Sequence, residues 1–304
     1  MGVTQSGKVA VLTNYREPTS EAATGQQSRG AIVNSWLAKN NSRTATQPRD
    51  EEETAKNGAV EKDPTKAYVQ EMVASPTARN VGGFSLVCGY VNEPLAIVSN
   101  RSSAMDQVSW IAGEAGQTVG LSNTVVDDRS WPKIMEGENL AEKAISAHAE
   151  QGKSEDVLIE ALLDVLNTNS LPELGEDATA EDYLPHFRRS IFIPRIGTRK
   201  KSMTRTPAVA GEMAAPEPGQ SSGVKFDGRG TDSAPAPVKK EVESGNDIID
   251  QSYLHGPYGT QKQTVMLVQK DGRVRYFERT LYDHEAKAVP IGEGDRSFEF
   301  EVTR

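Results

Sequence analysis

Thr264-Val265-Met266-Leu267-Val268-Gln269-Lys270-Asp271-Gly272-Arg273-Val274-Arg275-Tyr276-Phe277-Glu278-Arg279-Thr280 decides the fold class of this chain. Two alternating runs, 264–268 and 273–279, flank Lys270-Asp271-Gly272, and an Asp-Gly turn between such runs predicts a hairpin. Phe298 to Val302 supplies one more strand. Upstream, residues 83–91 and 94–100 read as a second hairpin, with Asn92-Glu93 as its turn and Pro94 at a strand edge. Val9 to Val11 form a short apolar strand between Ser6-Gly7 and the polar run from Asn14 to Pro18. Only Gly2, Val3 and Thr4 precede that turn, too few for a hairpin partner. The first strand is therefore expected either to be very short or to lack part of itself. Gln117–Asn123 and Ile191–Arg195 read as further short strands.

Helical periods lie between these runs. Arg29 to Ala38 places Ile32, Val33, Trp36 and Leu37 on one face. Asp63-Pro64 opens a second helix through Tyr68, Met72 and Val73, with proline in its first turn. A third is expected from Glu138 through Leu140, Ala144 and Ile145. A fourth starts near Ser154, where Val157, Leu158, Ala161, Leu162, Val165 and Leu166 make a stripe wide enough to bury a face. Thr179-Ala180-Glu181-Asp182 is a capping-box pattern that opens a short helix to Arg188. Strands at both ends of the sequence with helices among them predict a mixed α/β chain with a sheet-rich core.

Two tracts do not fit a core. Residues 39–63 are polar and charged without apolar period, and residues 198–250 have linker composition, rich in Pro, Gly, Ser and Ala. Both read as disordered insertions into one domain spanning 1–304, because apolar strands resume beyond each. The formal net charge of −9 argues against a nucleic-acid binder that works by neutralising phosphate. The one basic cluster, Arg199-Lys200-Lys201 with Arg205, reads as a solvated linker segment. Cys88 is the only cysteine, so an intrachain disulfide is excluded, and its strand context makes it a small buried hydrophobe rather than a nucleophile. No window has the length of a transmembrane span, and the start does not resemble a signal peptide. Met1 to Ser6 match the short N-myristoylation pattern, although the residues behind it read as strand rather than a flexible arm.

Familiar catalytic constellations are lacking. His148, His186, His255 and His284 have no metal-ligand spacing, so no metal site is expected. What stands out is amides at strand ends: Asn14, Asn100 beside Arg101, and Asn123. Such side chains can donate to an oxyanion or a bound carboxylate without carrying charge, and they are also ordinary turn residues.

At these residues the chain resembles a known family. Gly7-Lys8-Val9-Ala10-Val11-Leu12-Thr13-Asn14-Tyr15-Arg16-Glu17-Pro18, Gly83-Phe84-Ser85-Leu86-Val87, Ser99-Asn100-Arg101, Gly120-Leu121-Ser122-Asn123-Thr124 with Trp131-Pro132-Lys133, the run from Asp156 to Asn167, and Tyr258-Gly259-Thr260 followed by Val265 to Thr280 are similar, in order, to the transport and Golgi organisation protein 2 family, also called NRDE proteins. The resemblance implies the four-layer αββα fold of N-terminal nucleophile hydrolases, within an α+β class. It implies a part in Golgi organisation and protein secretion, with haem movement or acyl-lipid handling as the ligand chemistry. It also implies a cytoplasmic protein with peripheral Golgi or mitochondrial association. Asn14, Arg16, Asn100, Arg101, Asn123, Tyr258, Thr260 and Gln261 are the pocket residues it suggests, with Asn14 and Asn123 as oxyanion donor and substrate orienter.

Two departures bear on activity. Family members begin Met-Cys and carry an Asn-Arg-Asp-Glu signature ahead of the Gly2–Lys8 equivalent; that segment is not in this sequence, so the chain is expected to be N-terminally truncated and non-catalytic as written. The alternative is an amidase or acyltransferase in a longer form bearing the cysteine nucleophile. Gln261 stands where many relatives have Arg, so any carboxylate there meets no bidentate positive fork.

Overall fold

The computed structural model describes residues 1–15, 28–39, 63–75, 78, 81–175, 178–196 and 257–303. All belong to one compact unit formed by Met1–Arg199 and Ile249–Arg304; a second unit, Lys200–Ile248, lies outside the described residues, as do nearly all of both predicted insertions. The described residues form two antiparallel sheets and five α-helices, an α+β arrangement.

The first sheet is a meander of β1 (Gly2–Val3), β2 (Lys8–Asn14), β3 (Phe84–Tyr90), β4 (Leu95–Ser99) and β5 (Ser109–Ile111), in that order. Here one expectation fails: the three residues ahead of the first turn do make a partner strand, since Gly2 pairs with Ala10 and Val3 with Val9. Two residues suffice because β1 adds to a sheet already built by β2 and β3 instead of standing as an isolated hairpin. Gly2, the residue a myristoyl group would need, lies in that strand.

Every residue of β3 is buried. Phe84, Leu86, Cys88 and Tyr90 share one face and pack with Ala10, Ala96 and Val98 beneath α1 (Gly30–Ala38) and α2 (Pro64–Ala74), which contribute Trp36, Tyr68, Val69, Met72 and Val73. Trp36 is fully buried, and its indole N–H donates to Val9 O at 2.9 Å, so the largest core residue leaves no polar atom unmet. Burial pushes the Cys88 thiol up to about 12, which suits a packing residue and not a nucleophile.

The second sheet has the order β6 (Lys262–Val268), β7 (Arg273–Thr280), β8 (Asp295–Glu301). The predicted hairpin is present, with Gly272 N–H bonding Gln269 O at 3.0 Å across the turn. Against it packs α4 (Glu155–Leu166), itself paired with α3 (Pro132–Gln151). Two sequence readings of these helices change. The third helix begins at Pro132, six residues before Glu138, because proline opens a first turn without loss of a needed donor. In α4 the buried residues are Ile159 and Leu163, while Val157 is exposed, so the stripe is turned by one residue toward β6 from the predicted set.

A layer of charge also ties α4 to this sheet. Arg279, 7 % exposed, donates to both oxygens of Glu160 at 3.0 and 2.9 Å and to Asp295 at 2.8 to 3.2 Å. Arg273 and Arg275 reach Glu155 and Asp156 on the first turn of the same helix. The capping box at Thr179 closes as expected, but its α-helix, α5 (Ala180–Tyr183), gives way to a 3-10 turn at Leu184–His186 where Pro185 stands. Gln117–Asn123 and Ile191–Arg195 are not strands, since their backbones join no ladder.

Candidate functional site

The eight residues picked out by sequence divide into two groups. Asn14 ends β2 opposite Phe84, and the Asn123 amide donates to Asn14 O at 2.8 Å. One residue back on each segment, the Thr13 hydroxyl donates to Ser122 O at 3.2 Å. The Asn100 amide splints the start of β3, accepting from Phe84 N–H at 3.3 Å and donating to Val81 O at 3.4 Å. Arg101 lies over the Tyr15 ring at 3.9 Å. Arg16 lies outside the described residues.

The second group sits before β6. Tyr258 exchanges backbone hydrogen bonds with Ile196, Thr260 donates its N–H to Ile193 O at 2.8 Å and accepts the Ile193 N–H on its hydroxyl at 3.0 Å, and the Tyr258 ring stacks on Phe187 at 5.0 Å. Gly259 between them is held so close to Pro194 and Arg195 that an added Cβ would come within 3.1 Å of Pro194 O. The Gln261 amide donates to Asp283 O at 3.4 Å. Asn100 thus spends its amide on the backbone at the start of β3, and Asn123 spends its N–H₂ on Asn14 O.

A cavity of about 480 Å³ opens to solvent beside them. None of the eight lines it. Its walls are Ile134 and Ala141 of α3, Leu162, Val165 and Leu166 of α4, the edge of β6 at Thr264–Met266, the segment Gly120–Leu121–Ser122, and Ile191. Ser122 is followed by Asn123, and Ile191 runs on to Ile193, the partner of Thr260, so each predicted group adjoins one wall. That volume is within the range of small-molecule sites, as is a mostly apolar lining with few polar groups.

Two charged side chains line the cavity. Glu138 is matched twice: it forms a two-pronged ion pair with Arg129, at 2.8 Å for one prong, and accepts the Gly120 N–H at 2.8 Å. The Arg129 guanidinium, with the Gly120 N–H, holds its carboxyl below the usual range. Gly120 must lie flat on α3 for this contact, since a Cβ there would stand 3.0 Å from Ile134 Cγ2 and 3.2 Å from Ile134 O. Lys133 is different. Its Nζ lies 5.4 Å from the centre of the Trp131 ring and bonds to no acceptor among the described residues. Burial lowers its ammonium from the ordinary 10.5 to about 8.

The cavity also has backbone donors. Gln269 N–H bonds Arg273 O and Leu281 N–H bonds Gln261 O, which places the odd-numbered residues of β6 in the ladder to β7. The N–H and C=O groups of Thr264 and Met266 therefore point off the open edge of the sheet, on the side of the cavity, and meet no partner among the described residues. Apolar walls, one unmatched cation and edge N–H groups suit an apolar chain that ends in an anion or a polar carbonyl.

Sequence reasoning quoted Trp131-Pro132-Lys133 as a motif without choosing Lys133. One local signal was available: a cation at the second position of a helix opposes the macrodipole, so its placement there asks for a reason.

The sequence motifs, from Gly7–Asn14 through Gly120–Lys133 to Tyr258–Thr280, fall within residues 1–283, which match the family model described as Transport and Golgi organisation 2. The chain belongs to that family. Of the described elements, only β8 lies beyond the matched residues of this Transport and Golgi organisation 2 family member. No curated protein and no solved structure matches the chain. Among the described residues, no helix is long and apolar enough to cross a membrane, and no group of three or more His, Cys, Asp or Glu could hold a metal ion.

Proposed function

We propose that this member of the Transport and Golgi organisation 2 family serves Golgi organisation and secretion by binding an acyl chain with an anionic or carbonyl head, without turning it over. The observation that carries this reading is the 480 Å³ apolar cavity whose one unmatched charge is Lys133. An alkyl chain would lie against Leu162, Leu166 and Ile134, with its head at Lys133 and the edge N–H groups of β6. Haem fits the cavity residues less well: iron is held by an axial His, Cys, Tyr or Met, and the lining offers only Met266, with no His, Cys or Tyr to bind as the principal ligand. Binding is favoured over turnover by a cysteine nucleophile because the single thiol, Cys88, is buried in the other sheet's core.

The four-layer αββα arrangement belongs to the same proposal and is supported by two antiparallel sheets, the first with α1 and α2 against it and the second with α4, which pairs with α3. So do a single domain over 1–304 and work in the cytoplasm at Golgi or mitochondrial surfaces.

The test is calorimetric titration with hexanoate, octanoate and decanoate. Affinity is expected to rise about fourfold per added carbon, from about 0.8 kcal/mol per buried methylene. Lys133→Met should weaken decanoate about tenfold or more and leave decanol unchanged. Carboxylates that bind with no dependence on chain length, or not at all, would overturn the reading.

A further inference from the structure

We infer that Lys133 is an acyl acceptor, its amine taking the acyl group from a fatty acyl thioester whose chain occupies the cavity between α3, α4 and β6. This rests on the acyl-chain reading above and adds a covalent step. The Nζ lone pair attacks the thioester carbonyl carbon, forming a C–N bond while the carbonyl π pair moves to oxygen. Collapse of that intermediate breaks the C–S bond, and the thiolate leaves with the electron pair. The proton lost by nitrogen goes to the departing sulfur, so the products are an amide on Lys133 and a free thiol. A thioester is required because a carboxylate does not acylate an amine unaided.

The site has the parts this step needs. Lys133 lines the cavity, and its amine, 5.4 Å from the centre of the Trp131 ring, bonds no acceptor among the described residues. The N–H groups of Thr264 and Met266 leave the open edge of β6, two residues apart on a strand that lines the same cavity, and either one can donate to the carbonyl oxygen as it gains charge. Because the cavity opens to solvent, the thiol-bearing part of the donor can remain outside.

Electrostatics favour a free amine there. From α3, Glu138 faces the cavity but is matched by Arg129 and Gly120 N–H; α4 and β6 bring only uncharged residues to it. Arg188, whose carbonyl accepts the Lys133 backbone N–H at 3.4 Å, turns its guanidinium to Ser130 O. With burial placing the ammonium near 8, a sizeable share is neutral at pH 7 to 8. Acylation would discharge the lysine and tether the chain in place.

The experiment incubates the full chain with octanoyl-coenzyme A and follows site-resolved mass. Lys133 should be labelled at least tenfold faster than exposed lysines such as Lys143 and Lys270. The rate should climb with pH and level off above about 8, decanoate should slow it, and Lys133→Arg should abolish label at this position without raising it elsewhere. Labelling of Lys133 no faster than that of exposed lysines, or a rate indifferent to decanoate, would overturn the inference. Decanoate titrated into the same sample separates the two claims: binding without transfer defeats the acyl-acceptor role alone, and absence of binding defeats the underlying reading.

Discussion

Lys133 and Cys88 show how the same physical cause, loss of water, has opposite consequences at two residues. For Lys133 it disfavours the charged form, so between pH 8 and 10.5 the unfolded chain holds a proton that the folded chain has released. Stability therefore rises with pH across that window, and the full penalty applies below 8. Lys133→Met should stabilise the fold by about 1 to 2 kcal/mol at pH 7, allowing for solvent screening of a partly exposed amine. The gain should vanish near pH 10.5, as chemical denaturation at several pH values would reveal. For Cys88 the buried thiol should resist a thiol reagent in the native protein and react at the rate of global opening. Rapid native labelling would show that β3 is not the closed core strand described here.

Among the elements, α4 is the one whose docking depends on charge as much as on apolar contact. Ile159 and Leu163 meet Val265, while Arg279 crosses from β7 to Glu160 on the helix and to Asp295 on β8. Arg279→Ala leaves two carboxylates facing each other without their cation and should cost about 2 to 4 kcal/mol in thermal or denaturant unfolding. Arg279→Lys should recover only part, because an ammonium cannot fork to both acids as the guanidinium does. Both hairpins were readable from sequence because their signals are local: alternation of side chains and a turn residue that fits the turn. The strands assigned to 117–123 and 191–195 were not, since a backbone is a strand only if another lies beside it. Residues 120–122 instead rest on α3, with Gly120 donating to Glu138.

At the scale of the whole molecule, the described residues on either side of the 197–256 gap are joined by the Ile196–Tyr258 bridge. If the tract is an insertion, replacing residues 200–248 with a linker of about ten residues should raise stability by roughly 1 kcal/mol through the shorter loop. A loss of several kcal/mol would instead make the tract part of the domain.

Element identity was largely present in the order of residues: two hairpins, an amphipathic fourth helix, a capping box and motifs in family order. These depend on neighbours a few positions apart, where propensity and periodicity act. The cavity depends on residues 120, 133, 162, 191 and 265 meeting across more than a hundred positions, and no local pattern encodes that distance. The amides at strand ends were visible as polar residues, but the hydrogen bonds that engage Asn100 and Asn123, and the absence of one at Lys133 Nζ among the described residues, arise only when the segments pack.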